Sequence, residues 1–454
     1  MARDGTASWP AGPSETHSLV TMDGGVRVAG ATVQRPDRYA YFRERDGAMP
    51  AIPRGAGFSF AAASFGAGAT TIDLRSFDRV LGFDARSGQV EVEAGATLGA
   101  LFEFLAARGF YLPIQPGHHR ITVGGCIAAN VHGKNPARDG TFVSQVESVR
   151  VFHPRHGEID LTPQKESTLF AATCGGLGLT GIIVSARLRA QRLPGAAFHV
   201  VHRQVATIAE GASVLREQSS RSDLMYAWFD CSRRGQAFER GMVVTGEFVS
   251  EPSDPVAFKL SPSRFSSQSR ARLPFSLLNP ISLRLMNAIY FRLLRRSGTA
   301  NVALAEALYP TRANELYLSL FGRRGFHECQ AIVPYDQVAE FVGQLRDQAT
   351  RTGVRITLAV AKPFDGESEL IRFDGRGTSL AIEIPRATAA SQLMREIDRL
   401  VVALGGRPNV IKDSRLPRDI FEATYPECDR FRTVLRQWDP KRLFRSELSD
   451  RLGL

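Results

Sequence analysis

The sequence predicts an α+β protein built from two or three folding units. Its 454 residues compare with roughly 100 to 200 residues per domain. From about Met49 to Ala190, short β-branched or alternating runs are punctuated by glycine and proline turns. From Leu193 to about Leu404, longer strand candidates alternate with amphipathic helices. With 43% hydrophobic and 23% charged residues the chain can bury a large core, which excludes the disordered and fibrous classes. Its 41 glycines fall far short of a collagen repeat and so belong to particular loops.

Taken in order, residues 1–25 are polar and turn-rich and read as a flexible N-terminus without the apolar run of a signal peptide. Strands are expected at TTIDL (70–74), VEVEAG (90–95), VESVRVF (146–152) and GIIVSARL (181–188). Between them Leu98, Leu101, Phe102, Leu105 and Ala106 recur at helical spacing and close on Gly109. Region 193–404 carries the strand candidates MVVTGEFV, ECQAIVP and SLAIEIP and the helix YDQVAEFVGQLRDQAT at 335–350. Region 405–454 adds a strand, PNVIKDS, and a charged helical tail. The expected divisions are therefore 1–25, 26–192, 193–404 and 405–454. No stretch approaches the ~18 consecutive apolar residues of a membrane span, so a soluble, cytoplasmic protein is expected.

The net charge is +11, from 57 Lys and Arg against 46 Asp and Glu. Lysine is rare, six residues against 51 arginines, which singles out each lysine for scrutiny. From Pro255 to Ala305 there is no acid, yet Lys259, Arg264, Arg270, Arg272, Arg284, Arg292, Arg295 and Arg296 fall there. Within it, PISLRLMNAIYFRLLRR places Leu283, Met286, Ile289, Tyr290 and Leu293 on one helical face. Such a helix reads either as a peripheral contact with an anionic membrane, at the inner face, or as a solvated helix whose apolar side covers the core. No nucleic-acid fold motif accompanies the charge, so nucleic acid is not an expected partner. Cys126, Cys174, Cys231, Cys329 and Cys428 contain no CxxC pair, which argues against a disulfide scaffold or a zinc site, and no metal is expected.

The glycines gather in three loops: PRGAGFSF (53–60), PGHHRITVGGCIAANVHGKN (116–135) and CGGLGLTGII (174–183). Gly55 and Gly57 permit positive φ, so backbone N–H groups there can converge on an anion. A formal GxGxxG at Gly176, Gly178 and Gly181 follows a helix-like stretch and precedes a strand-like one, the reverse of a dinucleotide fingerprint, and is rejected as a nicotinamide site. A fourth motif, KDSR, spans Lys412 to Arg415.

Together PRGxGxS, VEAG followed by a helix, PG with TVGG and HGKN, and GGLGLTGII resemble the PCMH-type FAD-binding domain of the vanillyl-alcohol-oxidase class of flavoproteins. HGKN after TVGG, AWFD (227–230), FGRRGFHECQAIVP (321–334) and IKDSR (411–415) are similar to the decaprenylphosphoryl-β-D-ribose 2′-oxidase family. The resemblance implies a two-subdomain FAD-binding domain at 26–192. It also implies a substrate-binding domain with an antiparallel sheet and flanking helices, and a C-terminal segment that returns to the FAD domain. It implies oxidation of a secondary alcohol, the 2′-hydroxyl of a polyprenyl-phosphate pentose, by hydride transfer to flavin N5, with an NAD(P)-dependent ketoreductase partner completing an epimerisation. Such chemistry needs a polar group on the hydroxyl and positive charge beside the flavin.

By resemblance His132, Lys412 and Gln330 are the catalytic candidates. FAD would be held by Pro53, Arg54, Gly55, Ala56, Gly57, Phe58 and Ser59 of the first loop. The second loop would add Gly117, Thr122, Val123, Gly124, Gly125, His132, Gly133, Lys134 and Asn135, and Gly178, Ile183 and Asn409 complete the set. Phe60, Trp228, Phe321, Glu328, Lys362 and Ala381 would form the substrate pocket. Phe58 stands where many relatives of the class carry a histidine bonded to the flavin, so noncovalent FAD is expected. Phe60 and Phe321 replace tyrosines, Glu328 a glutamine and Ala381 a reactive cysteine, departures that bear on which sugar is used. The alternatives are an alditol or aldonolactone oxidase acting on a small soluble sugar, which would share the flavin domain, and a non-catalytic membrane-surface protein.

Overall fold

A computed structural model describes residues 14–44, 50–233, 238–249, 258–263 and 273–454. Arg264, Arg270 and Arg272 of the acid-free segment, and residues 1–13, lie outside that set. The expectation of a flexible start is corrected for its second half: Ser14–Val20 is a strand paired antiparallel with Arg27–Gln34.

The first half holds two larger sheets and a short antiparallel pair, Phe110–Tyr111 with Gln191–Arg192. Ser14–Val20, Arg27–Gln34, Thr70–Asp73 and Ala51–Arg54 form a mixed four-stranded sheet whose last two pairings are parallel. Val80–Asp84, Gln89–Glu93, Ile182–Arg189, Val146–His153 and Gly157–Leu161 form an antiparallel five-stranded one. Helix Leu98–Ala106 starts where the Thr97 side chain accepts from Ala100 N–H, and it buries Leu98, Leu101, Phe102 and Leu105 as the spacing predicts. The third glycine loop joins helix Ser167–Thr173 to strand Ile182–Arg189, the inverted order that rules out a dinucleotide fingerprint there.

The second half is organised by an antiparallel eight-stranded sheet. Its order is Thr299–Ala303, Ala197–Val205, Arg240–Val249, Leu224–Asp230, Leu358–Asp365, Arg376–Pro385, Phe326–Val333 and Arg407–Pro408. Successive side chains point to opposite faces. One face presents Met225, Ala227, Val243, Cys329, Ala331, Ala359, Ala361, Leu380 and Ile382 to helices Ile208–Gln218, Val338–Thr352 and Thr388–Ala403. The residues between them on the same strands face the glycine loops.

Two elements differ from expectation. In PNVIKDS only Pro408 extends a strand; the rest is a turn. Its backbone is bonded elsewhere: Ile411 O accepts from the N–H groups of Phe60 and Ala61, each at 3.1 Å, and Lys412 N–H donates to Asn409 O at 3.0 Å. In helix Pro280–Ser297 the buried residues are Leu283, Asn287 and Phe291, of which only Leu283 belongs to the apolar face expected. Asn287 turns inward because its Nδ2 donates to buried Asp230 Oδ1 at 2.9 Å, and this leaves Ile281, Leu285, Ile289 and Leu293 exposed along the other side.

The C-terminal helices Arg418–Thr424, Cys428–Trp438 and Glu447–Leu452 pack Phe421, Tyr425, Phe431 and Leu448 against Ile52, Ala61, Leu177 and Leu179 of the first half. Ala51 is clasped by the main chain of this segment, donating to Leu443 O at 2.7 Å and accepting from Arg445 N–H at 3.0 Å.

Candidate active site

The glycine loops and the inner face of the eight-stranded sheet enclose a cavity of about 740 Å³. On the loop side the wall is largely backbone. Gly57 has φ 72° and Gly178 φ 79°, conformations that favour glycine. A Cβ on Gly55 would lie 2.1 Å from Thr122 Oγ1, so the first loop sits directly on the cap of helix Val123–Ala129, where Thr122 accepts from Gly125 N–H. Arg54, 5% exposed, donates through Nη1 to Ser64 Oγ at 2.7 Å and leaves Nη2 without a partner. Burial pushes its guanidinium down to about 10, still charged at neutral pH.

On the sheet side the wall is made of side chains, placed by strand register. Gln330 lies opposite Ala381, Glu328 opposite Glu383, and Val360 pairs with both Ala381 and Trp228. His132, brought in by the HGKN segment, meets this face. Gln330 Nε2 lies 3.1 Å from His132 Nε2 and 3.0 Å from Ser379 Oγ, and Gln330 Oε1 accepts from Asn409 Nδ2 at 2.8 Å. Burial above all, then the charge of Lys362, holds the imidazole well below its ordinary value, so it is neutral. Its Nε2 then accepts from the Gln330 amide and its Nδ1–H faces Gly133 O at 3.3 Å.

Lys134, Lys362 and Lys412, half of the chain's lysines, all line the cavity. Burial lowers Lys134 to about 8. Burial, then Lys134 and Lys412, lowers Lys362 to about 7, and its Nζ donates to Gly133 O at 2.8 Å. Lys412 Nζ lies 3.0 Å from Glu328 Oε1 and 4.0 Å from the centroid of the Phe60 ring, a cation held between a carboxylate and an aromatic face.

The structure gathers nearly all of the candidates named from sequence: Pro53 to Phe60, Gly117, Thr122, Gly124, Gly125, His132, Lys134, Gly178, Ile183, Trp228, Glu328, Gln330, Lys362, Ala381, Asn409 and Lys412 line the cavity. Four stand behind its wall. Val123 is packed in the core. Gly133 contributes the carbonyl that receives Lys362. Asn135 caps helix Pro136–Asp139 and donates to Ser219 O and Ser222 O, each at 2.7 Å. Phe321, 1% exposed, packs on Tyr317 and Phe326 and so supports the wall from outside. Sequence reasoning missed Glu383, Ser379, Tyr317, Tyr226 and Tyr290, which also line the cavity. The first two were within reach of it, since SLAIEIP alternates and puts Ser379, Ala381 and Glu383 on one face.

These residues fit FAD. A buried arginine with an unused N–H beside glycine-bearing turns suits a diphosphate, and the three lysines suit an electron-rich ring system. The fit would be made by residues 53–59 and Gly117, Gly124 and Gly125 on the loop side, with Lys134, Lys362 and Lys412 beyond.

Residues 39–161 match the family model described as an FAD binding domain. A decaprenylphosphoryl-beta-D-ribose oxidase from Mycolicibacterium smegmatis is 29% identical over 421 residues, 90% of each chain. An uncharacterised protein of Streptomyces coelicolor is 29% identical over 79% of this chain and 100% of its own. A D-lactate dehydrogenase of Anaerostipes hadrus is 31% identical over 31% of each chain. The chain is thus a flavoprotein with a PCMH-type FAD-binding domain, an FAD-dependent oxidoreductase that acts on CH–OH groups.

Proposed function

We propose that the enzyme oxidises a secondary hydroxyl, of the 2′ type, on a polyprenyl-phosphate-linked pentose or a related glycoside to the ketone. An NAD(P)-dependent ketoreductase then returns the ketone with inverted configuration. The observation that carries this reading is the cavity's two-part wall. His132, Gln330, Lys362 and Lys412 form a polar, cationic end, and Trp228, Tyr290, Leu358, Val360 and Val302 form an apolar arm. A sugar phosphate with a hydrocarbon tail has the same two parts. Similarity over nine-tenths of the chain to an enzyme named for decaprenylphosphoryl-β-D-ribose supports it.

Bound FAD supplies the two-electron acceptor. The chain's own residues orient the sugar and hold the charge. Trp228, stacked edge-on against Tyr290 at 4.9 Å between centroids, flanks the apolar arm. Lys412 presents a donor to the hydroxyl, and Gln330 fixes the imidazole of His132 in one tautomer.

A lipid-linked substrate also gives the basic helix a role, as a reversible contact with the inner, anionic membrane face. No helix among the described residues is long and apolar enough to cross a membrane. Exposed Ile281, Leu285, Ile289 and Leu293 lie beside Arg284, Arg292, Arg295 and Arg296 on the 280–297 helix, and each engaged cation would contribute ~1 kcal/mol. Co-sedimentation with anionic vesicles that falls with salt is the expected result; indifference to both lipid charge and salt sinks the membrane contact.

The departures Phe60, Glu328 and Ala381 favour a second reading, an alditol or aldonolactone oxidase. An L-galactono-1,4-lactone dehydrogenase of Oryza sativa is 32% identical, though over only 26% of this chain. Anaerobic bleaching of the flavin across polyprenyl-phosphate pentoses and free polyols separates the two. Bleaching by the lipid-linked sugars is expected, and bleaching by free polyols alone overturns the proposal.

A further inference from the structure

Strands Phe326–Val333 and Arg376–Pro385 are in register so that Glu328 lies directly opposite Glu383. Like charges at such a pair repel, and here both residues are buried, 4% and 6% exposed. The two carboxyls are within hydrogen-bond reach of each other, yet each has a buried oxygen, Oε2, that no donor satisfies. Two carboxylate oxygens cannot bond each other, but a single proton between them satisfies both.

The charged and titratable groups around the pair are few. Lys412 Nζ sits 3.0 Å from Glu328 Oε1. The Tyr317 hydroxyl, 2.9 Å from Thr357 Oγ1, also reaches Glu383. Asp23, paired with Arg386 at 2.5 Å, acts on Glu328 from farther off, while His132 and Lys362 stand elsewhere on the cavity wall. Burial, then the repulsion of Glu328, pushes Glu383 up to about 8, and burial raises Glu328 against the pull of Lys412.

We propose that Glu328 and Glu383 share one proton beside Lys412, and that this carboxyl pair accepts the proton released when the substrate hydroxyl is oxidised. The inference rests on the cavity being the site of alcohol oxidation. The electron pair of the O–H bond becomes the second C–O bond of the carbonyl. The C–H hydrogen leaves with its two electrons to the flavin, the oxidant, and the proton passes to the remaining carboxylate, leaving both carboxyls neutral. His132 is ill placed for this role, since its Nε2 is held by the Gln330 amide and its Nδ1–H faces Gly133 O. Lys362 is turned to the same carbonyl.

The first test needs no substrate. Infrared spectra of the FAD-loaded protein at pH 7 should show a protonated carboxyl band that is lost in both Glu328→Gln and Glu383→Gln and fades as pH rises beyond 8. The second follows anaerobic flavin bleaching with a short-chain polyprenylphosphoryl ribose, or with whichever free polyol bleaches fastest. Glu328→Gln should slow bleaching by ~100-fold or more at pH 7, the scale of a lost proton acceptor. Glu383→Gln should retain a faster rate and move its acidic limb to lower pH, because Glu328 is then paired with Lys412 alone. An unchanged FAD-to-protein ratio confirms that each variant folds. Absence of the band at pH 7, a band that survives both substitutions, or an unaltered rate and pH profile in Glu328→Gln each overturns the proposal. A failure of every sugar to bleach the flavin would strike the substrate assignment and leave the infrared result standing.

Discussion

The two faces of the eight-stranded sheet are built from the same strands, and they differ in what their side chains meet. On Phe326–Val333, Cys329 and Ala331 enter the helix-covered core while Glu328 and Gln330 face the cavity. On Arg376–Pro385, Leu380 and Ile382 face the helices while Ser379, Ala381 and Glu383 face the cavity. Every residue of the first strand is buried, so burial alone does not separate the faces. The apolar face is held by area removed from water. The other carries polar atoms that need partners, which Gln330, Asn409, His132 and Lys412 supply to one another and to Glu328, while Glu328 Oε2 and Glu383 Oε2 are left without a donor. A sheet can thus anchor a domain with one side and carry chemistry with the other, because a strand's two residue sets are independent.

The comparison is broken most sharply on the cavity side. Lys412→Ala should reduce turnover by ~100- to 1,000-fold, the cost of removing one preorganised charge, while bound FAD, read from the visible spectrum, stays near one per chain. On the opposite side Leu393→Ala, fully buried in helix Thr388–Ala403, should lower unfolding free energy by ~2–5 kcal/mol in denaturant titrations and leave turnover per bound flavin unchanged. If the two variants exchange phenotypes, the division between the faces is wrong.

A smaller effect sharpens the electrostatic half. Lys362 is lowered to about 7 before any anion arrives, and an anionic ligand stabilises its charged form. Binding should therefore take up a proton, and affinity for FAD should weaken as pH rises above 7, by at most tenfold per unit for one proton. Isothermal titration in two buffers of different ionisation enthalpy measures the uptake; none at pH 8 refutes it. Smallest in scale, acid precipitation should release all the flavin into the supernatant, since Phe58 offers no atom for a covalent link. Yellow colour kept in the pellet would contradict this.

The loops that receive the cofactor were legible in the chain because their requirements are local. Gly57 and Gly178 need positive φ, and Thr122 caps the helix that follows it. His132, Lys134 and Lys412 were found through motifs, and rarity drew attention to the lysines. Helix Pro280–Ser297 was misread because its apolar residues surround it on several sides, and only the buried Asp230 determined that Asn287 turns inward. The strand expected at PNVIKDS failed for a related reason, since Ile411 O is bonded to the first glycine loop and not to a sheet.

By itself, then, the sequence determined the class of cofactor, several of the helices and strands, and the residues whose backbone or charge suits a flavin. Those properties are encoded within a few neighbouring positions. The tertiary structure decided that Glu328 faces Glu383, that Gln330 ties up His132, and that Phe321, Val123 and Asn135 stand behind the wall. Cross-strand neighbours depend on register between segments some fifty residues apart, and a one-residue slip would send each of those side chains to the other face.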